Sequence, residues 1–172
     1  LMHAPWVINP LFGSLCVVLI YFIGREMFDE RTGRLAALLG AVSPFLIFMS
    51  SEFMNHTTTL FFFELFLLGF VRMVKRLRFR DALTAGFSLG YAMLIRPMTA
   101  VALGSPFALY ALLRLVRTAF RSGGDALRFG TLCLTALVSF GVMTGCLLTF
   151  NYLTNGDPLL FGYVVLHGEG HK

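Results

Sequence analysis

The chain is divided into apolar blocks of membrane length, and this spacing limits its fold more than any single motif does. The blocks lie near residues 6–24, 35–50, 57–74, 82–95, 98–116 and 129–150. Spanning a hydrocarbon core of about 30 Å takes about 20 apolar residues, because a helix rises about 1.5 Å per residue. Only 13% of residues are charged and 57% are hydrophobic, whereas a soluble domain carries about 25% charged residues. The expected fold is all-α: one multi-pass transmembrane helical bundle of about six spans, with an extracytoplasmic tail at 151–172. Leu1 and the ending His167-Gly-Glu-Gly-His171-Lys172 read as cuts within a longer chain.

Details within the blocks refine this picture. Ser43-Pro44 predicts a kink in the second span. The fourth span is short, and it gains length if Phe79 enters the bilayer while Arg78 and Arg80 snorkel outward. Gly86/Gly90 and Gly141/Gly145 form GxxxG pairs, which let another backbone approach closely. Cys16, Cys133 and Cys146 fall inside apolar blocks with no CxxC spacing, and read as small packing residues.

Charge then supplies an orientation. The net charge of +5 does not point to nucleic acid, because the basic residues sit in short loops and form no single accessible face. Segments 25–34, 72–81 and 114–128 hold 12 of the 14 Lys and Arg residues. A Lys/Arg excess marks the cytoplasmic side. The N-terminus, the turns at 51–56 and 96–97, and the tail are therefore expected outside. All four histidines fall in that outer set.

Arg96 breaks the charge pattern. It stands at the outer end of the fourth span and is fixed by Pro97, so its guanidinium is placed to clamp a lipid-linked phosphate. The alternatives are a snorkelling anchor or an ion pair with Glu52. Glu52, Asn55 and His56 are the other candidate binding residues, offering a carboxylate, an amide and an imidazole within five positions. The bland reading is a solvated turn, with Asn55 or Thr57 capping the third span. Asn55-His56-Thr57 also matches a glycosylation sequon, set close against the membrane. Glu64 lies deep in the third span among phenylalanines, as a hydrogen-bond donor to a neighbouring helix or as a proton relay. No motif calls for a cofactor, and Glu52 with His56 supplies too few ligands for a metal site. His167 and His171 belong to a glycine-rich loop, and Asn155-Gly-Asp-Pro158 is a turn.

Residues 21–68 and 82–113 resemble the polytopic glycosyltransferases of the C superfold, in particular the dolichyl-phosphate-mannose protein mannosyltransferase and aminoarabinose transferase group. The likeness is carried by Gly24-Arg25…Thr32-Gly33, Ser43-Pro44, Asn55-His56 and Leu94-Ile-Arg-Pro97, and covers most of residues 6–116. It implies an inverting transfer from a polyprenyl-phosphate sugar donor to an acceptor outside the cytoplasmic membrane. It also implies a catalytic acidic residue in the family's first outer loop, expected upstream of Leu1. Arg96 suits the leaving phosphate, and Glu52, Asn55 and His56 suit the sugar or acceptor. Two other functions fit the residues alone. A transporter or lipid flippase would use Glu64 and the proline-broken helices around a midplane site, and a non-catalytic membrane scaffold would use neither.

Overall fold

The computed structural model describes residues 7–121 and 123–160. These form α1 (Ile8–Met27), α2 (Glu30–Ala41), α3 (Pro44–Ser51), α4 (His56–Arg76), α5 (Phe79–Ile95), α6 (Pro97–Arg121) and α7 (Gly123–Asn155), with no strand among them. A helix satisfies its own peptide groups, which is what an apolar stretch in a water-free bilayer requires.

The count of six spans is lowered. Four helices (α1, α4, α6 and α7) are individually long and apolar enough to cross a membrane. A fifth span of sufficient length and apolarity is reached only by α2 and α3 taken together, which are bent by 54°. The bend falls at Ser43-Pro44, where Pro44 opens α3 because its ring cannot donate to the preceding turn. The helix that drops out is α5, with 17 residues, about 25 Å by helical rise. It still runs the length of the bundle. Its start follows the basic end of α4, and Arg96 after its last turn meets Asn55 and His56 at the start of α4.

The basic segments are more helical than the sequence pattern suggests. Only Phe28 and Asp29 separate α1 from α2, and only Leu77 and Arg78 separate α4 from α5. Backbone hydrogen bonding continues past the hydrocarbon boundary, and basic residues in a last turn suit the helix dipole. Asp29 caps α2 by accepting from the Thr32 amide at 2.7 Å, and its hydrogen bonds to Thr32 hold its carboxyl below the ordinary range. Leu77 takes a left-handed conformation with φ 51°, tolerated because its side chain packs against the core. The turn at 155–158 forms as the sequence suggests, with Gly156 at φ 76° and the Leu159 amide bonded to Asp157 Oδ1 at 2.8 Å.

Small residues decide how the helices meet. A Cβ on Gly69 of α4 would lie 2.9 Å from the Ala85 nitrogen of α5. On the opposite face of α5, a Cβ on Gly86 would overlap the Ala136 carbonyl of α7, and one on Gly90 would lie 2.6 Å from Met143 Cβ. At the α1–α2 turn, a Cβ on Gly24 would lie 2.9 Å from the Gly33 Cα. The first GxxxG pair is thus spent on helix packing. The second pair, Gly141 and Gly145, has no atom within 4 Å of the added Cβ. Around the α4–α5 contact, Phe66, Phe70, Met73, Ala82, Ala85, Phe129 and Leu132 form the core, with Phe107 of α6 edge-on to Phe66 and Phe70. At the basic end Glu26 of α1 accepts from Arg76 at 2.5 Å and from Arg72 at 3.4 Å, and Lys75 reaches its backbone carbonyl. Arg114 of α6 donates to the Val74 carbonyl at 2.8 Å and lies over the Phe129 ring.

Gly86→Ala is expected to cost about 1–3 kcal/mol by overpacking the α5–α7 contact. Gly141→Ala should stay within about 0.5 kcal/mol of the parent. Thermal denaturation in detergent, with both variants side by side, checks the contrast.

Candidate functional site

Three helix ends converge at the end of the bundle opposite the basic segments. Chain reversal after α3 brings residues 52–55 over the start of α1. Asn9 secures that reversal, since its amide donates to the Met54 carbonyl at 3.0 Å and also to the Glu52 carbonyl. Thr57 Oγ1 bonds the Met49 carbonyl at 2.8 Å and Thr59 Oγ1 the Asn55 carbonyl at 2.8 Å. The first turn of α4 is thereby fixed from both sides.

Arg96 closes α5. Its amide still bonds the Ala92 carbonyl at 2.8 Å, but its φ of −144° and ψ of 87° have left the helical region, as a residue before proline must. The exit turns the side chain onto α4. Its Nε donates to Asn55 Oδ1 at 2.9 Å, and Nη2 lies 3.3 Å from His56 Nε2. A guanidinium has only donors, so the imidazole nitrogen facing it is the acceptor. Two of the five guanidinium N–H groups are thus engaged. The rest of the fork has no protein partner among the described residues. Arg96 and His56 are half-buried and Asn55 is exposed.

The structure therefore gathers Arg96, Asn55 and His56, and leaves out Glu52. Glu52 lies outside α4, which starts only at His56, and its side chain is exposed. Among the described residues Arg96 has no salt bridge, so the pairing of Glu52 with Arg96 is replaced by the amide and the imidazole. Asn55 occupies the N-cap of α4 without a side-chain cap bond, because its oxygen is turned to Arg96. Asn9 was not anticipated. The available signal was a single amide within the first apolar block, where an unpaired polar group is costly. His3, His167 and His171 lie outside the described residues.

Glu64 is buried at 7% exposure and lies two helical turns below His56, beside Cys16 of α1. Cys16 itself approaches the Thr57 carbonyl at 3.9 Å. Glu64 Oε2 has no partner among the described residues, and it does not join the Arg96 cluster. No three His, Cys, Asp or Glu side chains among the described residues group around a point that would hold a metal ion. All three cysteines are free.

An apolar cavity of about 460 Å³ opens among α4, α5, α6 and α7. Its wall includes Ala100 and Val101 near the Arg96 end and Leu115 near the basic end. The Ala100 amide bonds the Arg96 carbonyl at 3.0 Å, so the cavity begins one helical turn beneath Arg96.

A comparison with protein families matches residues 4–151 to dolichyl-phosphate-mannose-protein mannosyltransferase. The chain belongs to that family. With its long apolar helices, family membership makes it a multi-pass membrane protein of glycosyltransferase type. Searches of curated proteins and of solved structures found no match. The family match spans all three helix ends that build the Arg96 cluster.

Asn9→Leu is expected to leave the Glu52 and Met54 carbonyls without their donor, at a cost of about 1–3 kcal/mol. The loss is read as a lowered midpoint of thermal denaturation in detergent, and Ser14→Ala, which removes only a bond to a carbonyl within α1, should leave that midpoint nearly unmoved.

Proposed function

We propose that Arg96, held by Asn55 and His56, binds the phosphate of a polyprenyl-phosphate sugar donor on the extracytoplasmic side of the membrane. The reading rests on one observation above all. A cation with donors uncommitted among the described residues stands at the end of the bundle that lacks the basic segments, directly above an apolar cavity. Family membership supports a lipid-phosphate donor. The Lys/Arg excess in 25–34, 72–81 and 114–128 supports a cytoplasmic position for the opposite end.

The proposed chemistry joins the donor class of the family to this geometry. An acceptor hydroxyl attacks the anomeric carbon, and the bond from that carbon to the phosphate oxygen breaks with its electron pair moving to the phosphate. Negative charge grows on the leaving group. A guanidinium preset in a half-buried site stabilises that charge without reorganising. The starts of α4 and α6 flank Arg96, and their dipoles favour an anion at the same place. Asn55 and His56 keep the fork in position and border the sugar or acceptor, and the apolar cavity beneath takes the first isoprenoid units. Glu52 is exposed at the rim, where it meets the acceptor. The acceptor hydroxyl also requires a base, a role we assign to none of the described residues.

In the full-length chain, Arg96→Ala should lower transfer from a polyprenyl-phosphate sugar by about 10²–10³, the usual cost of removing a donor to developing charge. Membrane insertion and expression should be unchanged. Arg96→Lys should retain part of the activity, since the charge survives and the fork does not. Wild-type transfer by Arg96→Ala in purified membranes removes Arg96 from the mechanism.

A further inference from the structure

Among the described residues the basic end leaves most of its cations without a carboxylate, and Asp29, Asp81 and Asp125 pair with none of them. Glu26 takes Arg72 and Arg76, and Glu30 takes Arg25 and Arg34. Arg78 and Arg80 are exposed, and neither has a carboxylate within 4 Å among the described residues. Between them stands Phe79, 59% exposed. The three residues lie in and just after the tight α4–α5 connection. That connection is held by Leu77, whose amide bonds the Met73 carbonyl at 3.1 Å and whose side chain packs into the core. The element is therefore fixed in place. Arg78, Phe79 and Arg80 are all exposed at the turn where the apolar run of α4 has ended in Lys75 and Arg76.

We propose that Arg78, Phe79 and Arg80 form a binding element for the headgroup of an anionic phospholipid. The ring suits the boundary between acyl chains and headgroups, where aromatic side chains are enriched. The flanking guanidinium groups suit a phosphodiester, which each can meet with paired N–H donors. At the start of α5 the Phe79 and Arg80 amides lie beside them, whereas the Asp81 and Ala82 amides bond the Arg78 carbonyl and the Asp81 carboxylate shares that turn. A soluble partner fits less well, because the ring would remain in water. The element lies at the opposite end of the bundle from Arg96, so it stands independently of the donor site. Its action is to pin the short helix α5 at its basic end.

Titration of the purified full-length chain in detergent with phosphatidylglycerol, and separately with phosphatidylcholine, tests this. Retained lipid is counted by native mass spectrometry. Arg78→Gln with Arg80→Gln should weaken phosphatidylglycerol binding about 30-fold, from about 1 kcal/mol for each basic residue near a surface. Phosphatidylcholine binding should not change. Arg78→Lys with Arg80→Lys should keep most of the preference, and Phe79→Ser should weaken binding of the phosphatidylglycerol bilayer lipid without creating affinity for soluble glycerol phosphate. A preference unchanged in the Gln pair overturns the proposal. So does an equal loss when Arg117 and Arg128 are changed to Gln instead, which would reduce the effect to overall charge. Equal binding of soluble glycerol phosphate by the parent would overturn it in favour of a free phosphate site. None of these outcomes bears on transfer at Arg96.

Discussion

Close approach of α5 to its two neighbours is the constraint from which the rest follows. Gly69 and Ala85 bring α4 against one face of α5, and Gly86 and Gly90 bring α7 against the other. In a bilayer there is no water to expel from between apolar helices. Association depends on van der Waals contact and on polar groups, and both are strongest where backbones come nearest. A side chain at Gly86 would displace α7, and with it Phe129 and Leu132, which complete the core on α4 and α5. The pairing also sets the register. With residue 69 beside 85 and Phe62 stacked on Tyr91 at 4.0 Å, the last residue of the α5 turn falls at the start of α4.

This register is what turns scattered polar residues into a site. Arg96 and His56 are 40 positions apart, yet their side chains lie within 3.3 Å. Pro97 forces the backbone out of the helix at the point where α4 begins, and Asn9 fixes the turn that presents Asn55. The Arg96 cluster draws on α1, α4 and α5 through these contacts and is braced from below by core packing. Electrostatics follow the same division. At one end, cations are matched in part by Glu26 and Glu30, and at the other a single guanidinium is held by an amide and an imidazole. An amide and an imidazole orient a cation without the cancellation a carboxylate would bring, which suits the anion-binding role proposed for Arg96.

Much of the fold was legible in the residues because hydrocarbon imposes a length scale on sequence. Apolar runs of about 20 residues can do little besides form helices, and Ser43-Pro44 marked the break between α2 and α3. The basic segments were less legible. A charge run reads as a loop, whereas α1, α4 and α6 continue through theirs and leave connections as short as two residues. The number of spans was set too high because the short fourth block was expected to lengthen with Phe79, and α5, with Phe79 as its first residue, still has only 17 residues. In the candidate site Arg96, Asn55 and His56 were visible as polar residues out of place at one end of the chain's pattern. Glu52 was visible for the same reason and belongs at the rim, because helix α4 starts too late to place it on the same face as His56.

The sequence by itself determined the helical class, the division of charge between two ends, and the place of Arg96 against that division. These are properties of composition and spacing, felt separately by each segment as it meets hydrocarbon or water. Tertiary structure alone decided that Asn55 and His56 hold Arg96, that Asn9 supports them, that Gly86 is buried while Gly141 is open, and that an apolar cavity starts beneath the guanidinium. Those outcomes depend on the distance and register between helices, which are set by interlocking side chains far apart in sequence and leave no trace in any one segment.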